Sequence, residues 1–138
     1  MKTRIKLVEN VCLVGESASG HGIVIDGAET IGGRNLGVRP MEMLLMGLGG
    51  CTAMDVLSIL RKQRQDVTDC VIEVEGERGD EHPKIFTKIH VHFIITGNAL
   101  KESSVKRAVD LSAEKYCSVS AMLGKSAEIT HDYEVIEL

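Results

Sequence analysis

A chain of 138 residues, 43% hydrophobic and 26% charged, has the length and balance of one soluble domain with a substantial core. Its net charge of −4 and the lack of any long basic run exclude the usual nucleic-acid-binding surface. With no Trp, two Tyr and two Phe, the core must be aliphatic and Met-rich.

The N-terminal stretch MKTRIKLVENVCLVG carries charges through its apolar run, unlike a signal peptide, so the cytoplasm is the expected location. Residues 4–14 alternate loosely through Ile5, Leu7, Val11 and Leu13, which predicts a strand with a bulge near Glu9–Asn10. GESASGHG, residues 15–22, is turn chemistry, and Ile23–Ile25 forms a short strand after it. Residues 27–39 are Gly-rich, carry Arg34 and Arg39, and read as a loop. It leads into the segment that organises the chain, PMEMLLMGLGGCTAMDVLSILRKQR, from Pro40 to Arg64. Proline suits the first helical position. Between Met41 and Leu60 only Glu42 and Asp55 are charged, which predicts a helix buried almost all round. Three glycines and an Asp at depth argue against a membrane span. Each of Gly47, Gly49 and Gly50 costs ~1 kcal/mol relative to Ala in a helix. Close approach of another backbone is the expected compensation. Cys51 follows the glycines directly.

Residues 70–78 alternate Cys70, Ile72 and Val74 with Glu73, Glu75 and Glu77, a half-exposed strand. Residues 79–83 form a turn. Residues 85–96 predict its antiparallel partner, with Ile85, Thr87, Ile89, Val91, Phe93 and Ile95 inward and Lys88, His90 and His92 outward. A helix is expected over 101–116, then Cys117 in YCSVS, a short helical turn through Leu123, and a stop at Gly124. Residues 127–136 make a closing strand. The order β-β-(β)-α-β-β-α-α-β is α+β: an antiparallel sheet with helices on one side, in a single domain over residues 1–138.

Four cysteines so widely spread are not a secreted disulfide framework. Cys12 and Cys70 sit in strand patterns and read as small core residues. Cys51, among glycines in an apolar helix, and Cys117, at a helix end, stand apart. No CxxC pair exists, and His90 and His92 share a strand face without a third ligand nearby, so neither a metal nor another cofactor is expected. His21 and His131 belong to no triad motif. From the residues alone, Cys51 and Cys117 are either structural thiols or a redox pair.

GVRPMEMLLMGLGGCTAMDVLSIL followed later by AEKYCSVSAML resembles the OsmC/Ohr family of organic hydroperoxide reductases, and ESASGH and RAVDLSAEKYCSV are similar to its YhfA-like branch. The interval from Pro40 to Cys51 matches the family's helix-opening Pro and first Cys. Cys117-Ser-Val-Ser120 corresponds to a Cys-Pro-x-Ser-like segment, without its Pro. The resemblance implies an intertwined homodimer, with two sheets wrapped around a pair of central helices. It also implies that the Cys51 thiolate attacks a peroxide O–O bond, that Cys117 resolves the sulfenic acid to a disulfide, and that an external dithiol reopens it. The family's reductases draw on an Arg from an early turn and a Glu one residue after the Pro. Here the early turn holds no Arg and Met41 follows Pro40. Arg34 or Arg39 is then the candidate cation and Glu42 its acidic partner. Met41, Met43 and Met46 make for an apolar pocket suited to organic hydroperoxides. The other reading from the same resemblance is a non-peroxidase OsmC-like dimer binding an apolar small molecule between its subunits; the plainest is a dimer whose thiols only fill space. No nucleic acid or membrane partner is expected.

Overall fold

The computed structural model describes all residues 1–138, which divide into two compact units, Met1–Leu44 and Leu45–Leu138. The first unit is an antiparallel meander of β1 (Thr3–Glu9), β2 (Cys12–Ser17) and β3 (Gly22–Ile25). The single strand expected over residues 4–14 is instead a tight hairpin. Asn10 adopts a left-handed conformation at φ 53° and the register shifts between Leu7 and Glu9. Asn tolerates that region better than most side chains, so it turns the chain directly after the expected irregularity at Glu9. Turn chemistry also starts later than Gly15, which pairs with Ile5 and Ile23 inside the sheet.

The Gly-rich loop is organised by Asp26, only 2% exposed. Its carboxylate accepts hydrogen bonds from the backbone N–H groups of Gly27 (2.7 Å), Leu36 (3.0 Å) and Arg34 (3.2 Å). Those donors, Leu36 foremost, hold its pKa below the ordinary carboxylate value. A parallel bridge between Ile25 and Val38 then delivers the chain to Pro40.

Helix α1 (Pro40–Lys62) starts there and continues into the second unit. It is followed by β4 (Asp66–Arg78), β5 (Phe86–Asn98), α2 (Glu102–Leu111), a π turn over Ser112–Tyr116, α3 (Ser118–Leu123) and β6 (Glu128–Glu137). The second sheet has the order β4-β5-β6. β4 and β5 are antiparallel, with Ile72 opposite Phe93, as the alternation predicts. β6, however, runs parallel to β5, with Tyr133 opposite Phe93. This corrects the single antiparallel sheet read from the residue pattern: there are two three-stranded sheets, as the resemblance implies, and one of them is mixed. Parallel neighbours need a crossover of a dozen or more residues, and α2, the π turn and α3 supply it.

Along β5 the expected alternation holds from Ile89 to Ile95 but breaks at the start. Phe86 is buried at 6% exposure, whereas Ile85 is 45% exposed. A register shift between Glu77 and Arg78 changes the phase, and Gly76 makes room for the ring: a Cβ there would lie 2.7 Å from Phe86 Cε1.

α1 is long and apolar enough to cross a membrane by length and composition, with a mean hydropathy of 1.8 over its most apolar window. In the chain its buried side is a stripe formed by Leu48, Gly49, Thr52, Val56 and Leu60, which serves the core. Burial almost all round is therefore not found. Met46, Met54 and Leu57 are 49%, 75% and 39% exposed, and nothing lies within 4 Å of a Cβ built on Gly47 or Gly50. Only Gly49 has the expected close neighbour, the Val74 side chain at 3.2 Å rather than a backbone.

Candidate thiol site

Two helical features carry the second unit's chemistry to one place. On α1, Cys51 and Asp55 are one turn apart and share a face. Cys117 arrives from the π turn. Its N–H donates to the Ser112 carbonyl at 2.9 Å, a bond reaching five residues back, and its backbone then extends to cap α3. Its Sγ accepts a hydrogen bond from the Ser120 N–H at 3.3 Å. The sulfur thus does the work a Ser or Thr hydroxyl does at most helix starts. π turns inside helical segments are rare and concentrate at functional sites.

Cys51 Sγ, Cys117 Sγ and an Asp55 carboxylate oxygen all lie within 4.8 Å of one another. All four cysteines are reduced thiols. Cys117 is buried at 3% exposure, whereas Cys51 and Asp55 are half-buried. Burial foremost pushes the Cys117 thiol up to about 11, with the neighbouring Cys51 and Asp55 adding to it and the Ser120 N–H opposing it. Cys117 is accordingly a protonated thiol at neutral pH. Cys70, by comparison, is raised by burial and by Asp69, and has no thiol partner in this cluster.

Behind the thiols runs a polar chain. The Ser112 hydroxyl, fully buried, donates to Asp55 Oδ2 at 2.9 Å. It also lies 2.6 Å from Thr52 Oγ1. A carboxylate only accepts, so the single Ser112 proton goes to Asp55, and Thr52 must donate to Ser112. The chain fixes one carboxylate oxygen and leaves the other without a protein donor. Asp55 also lines an open cleft of about 430 Å³ together with Lys62, Arg107 and Tyr116.

The structure brings Cys51 and Cys117 together, and beside them it places Asp55, Thr52 and Ser112, which sequence reasoning passes over. The available signal was the one-turn spacing of Cys51 and Asp55 on an otherwise apolar helix.

The OsmC-like protein family matches residues 32–132, a span that holds the whole thiol cluster. The chain belongs to the OsmC-like family. Protein YhfA of Escherichia coli K12 is 55% identical over 139 residues, covering 99% of this chain and 98% of that protein. A hypothetical protein from Aquifex aeolicus is 33% identical with a TM-score of 0.82, covering 99% of this chain and 97% of that one. The organic hydroperoxide resistance protein OhrB of Bacillus subtilis is 15% identical with a TM-score of 0.64, over 97% and 98% of the two chains, a likeness of fold.

Within this OsmC-like chain the other sequence-predicted residues are engaged in the first unit. The Arg34 guanidinium donates to Glu9 Oε2 at 2.7 Å. Arg39 Nη1 donates to the Gly37 carbonyl at 3.0 Å. Glu42 forms an ion pair with neither guanidinium. Its carboxylate accepts the Arg39 backbone N–H at 2.9 Å, reaching back from the third helical position as in a capping box. Pro40 and Glu42 together start α1.

Proposed function

We propose that this OsmC-like protein is a thiol-dependent peroxidase that reduces organic hydroperoxides. The observation that carries the reading is the pair of reduced sulfurs, remote in sequence, that meet beside one another on α1 and at the end of the π turn. The half-exposed Cys51 is the nucleophile. It attacks the peroxide O–O bond, releasing the alcohol and becoming a sulfenic acid. Cys117, held as a protonated thiol, then condenses with it; water leaves and the disulfide forms. The sum is one hydroperoxide and two thiols to one alcohol, one water and one disulfide. Closing from within 4.8 Å to a bond of about 2.05 Å is a movement on the scale of a side-chain rotation. An external dithiol restores the pair by exchange.

On the sequence resemblance alone, Arg34 and Arg39 are candidates for the activating cation and Glu42 for its acidic partner. The reading also includes residues 1–138 acting as one functional domain, a cytoplasmic location and a homodimer. The dimer is supported by the exposed Met46, Met54 and Leu57 on α1. The test is consumption of an organic hydroperoxide with a dithiol as electron donor. Turnover is expected from the native protein and only background from Cys51→Ser; undiminished turnover in that variant contradicts the reading.

A second reading is an OsmC-like dimer of non-peroxidase role that binds an apolar small molecule between its subunits; an apolar cleft of about 310 Å³ in the first unit, lined by Thr3, Ile5, Gly15, Ile23, Ile25 and Met43 among others, favours it. Thiols unchanged in excess hydroperoxide, with an apolar ligand retained, would favour it.

A further inference from the structure

Besides the peroxide reading, the cluster has a second chemistry. We propose that reduced Cys51, Asp55 and Cys117 form a three-ligand site for a thiophilic divalent cation, zinc foremost. The donor set is two sulfurs and one carboxylate oxygen, a set that suits zinc and disfavours magnesium or calcium. The three donor atoms lie within 4.8 Å of one another. Tetrahedral zinc, with bonds of about 2.3 Å to sulfur and 2.0–2.2 Å to oxygen, separates its ligand atoms by roughly 3.5–3.8 Å. Contraction by at most about 1.3 Å brings the cluster to that geometry.

Two features show how the site is built. Cys51 and Asp55 project from one helical face a turn apart, so two of the three donors are fixed by a rigid element. Ser112 holds Asp55 through Oδ2, and Thr52 holds Ser112, which is the outer-shell support that orients a carboxylate ligand. The half-buried Cys51 gives the cation an approach that Cys117 lacks. Binding forms two Zn–S bonds and one Zn–O bond, any proton still on either sulfur leaves to solvent, and water completes the fourth position. A cation so held occupies the same sulfur lone pairs that a peroxide needs, so it would protect the pair from oxidation. The proposal does not depend on peroxide turnover.

The test uses the reduced full-length protein without oxygen or peroxide. Co2+ is titrated in and thiolate-to-cobalt charge-transfer absorption in the near ultraviolet is followed; Zn2+ is then added in competition. One cobalt per chain is expected, displaced by zinc. Cys51→Ser and Cys117→Ser should each weaken binding by more than the roughly 10–100-fold cost of losing an outer-shell partner, and Asp55→Asn by at least about tenfold. A measurement on the unmutated chain guards against misfolded variants: Zn2+ should slow alkylation of Cys51 and Cys117 while leaving Cys12 and Cys70 unchanged. Absence of the charge-transfer band, unchanged affinity in any of the three variants, or unprotected Cys51 and Cys117 would overturn the site.

Discussion

Ser112 has one proton to give, and Asp55 takes it; Thr52 then supplies the bond that Ser112 still needs. Ser112→Ala leaves a half-buried carboxylate and a buried Thr52 hydroxyl without their partner. Urea unfolding should show a loss of about 1–3 kcal/mol, the cost of orphaning buried polar groups. A loss within error would mean that water replaces the hydroxyl freely. A second residue-scale expectation concerns the open face of the second sheet. There His92 Nδ1 and His90 Nε2 both reach Asp132 Oδ1, at 2.7 and 2.8 Å. The Asp132 hydrogen bond raises the His92 pKa, and His92 and His90 together lower that of Asp132. The histidine's contribution is therefore complete below the ordinary imidazole value and fades as pH rises through the raised one. Asp132's is present above the ordinary carboxylate value and fades as pH falls through the lowered one. NMR titration should place the His92 midpoint above the ordinary value, and Asp132→Asn should bring it down. An unshifted midpoint in the native protein contradicts the contact.

At the scale of elements, β4 and β5 depend on one missing side chain. Gly76 gives its space to Phe86, so Gly76→Ala sets a methyl 2.7 Å from the ring. Overpacking of this kind costs about 1–3 kcal/mol, readable as a lowered urea midpoint. The alternation in residues 70–78 and 89–95 gave these strands away because one face is wet and the other dry. The phase change at Phe86 was hidden, since nothing in the residue pattern marks the register shift at Glu77–Arg78. The parallel β6 was hidden for a different reason: alternation reports which face is buried, not which way the neighbour runs. Within the site, Cys51 and Cys117 stood apart by their surroundings, but only the family resemblance joined them as a pair. Asp55 looked like a charge on a helix, and Ser112 like one more hydroxyl, because their roles exist only after α1 and the π turn meet.

At the scale of the molecule, α1 presents two stripes, and only one has a partner within the chain. Burying Leu48, Thr52, Val56 and Leu60 explains half of an apolar helix. Met46, Met54 and Leu57, beside the open Gly50, form the other half, and the proposed second copy covers them. Met54→Asp should therefore shift sedimentation from dimer to monomer; a native protein that already sediments as a monomer contradicts the dimer. The claim on which the functional account rests is narrower, and one measurement reaches it directly. The reduced protein is exposed to one equivalent of an organic hydroperoxide, quenched, and its peptides mapped by mass spectrometry. The account predicts a loss of two hydrogens that links the Cys51 peptide to the Cys117 peptide, absent from Cys51→Ser. Both thiols intact after excess hydroperoxide, or a disulfide that joins either of them to Cys12 or Cys70 instead, would contradict it.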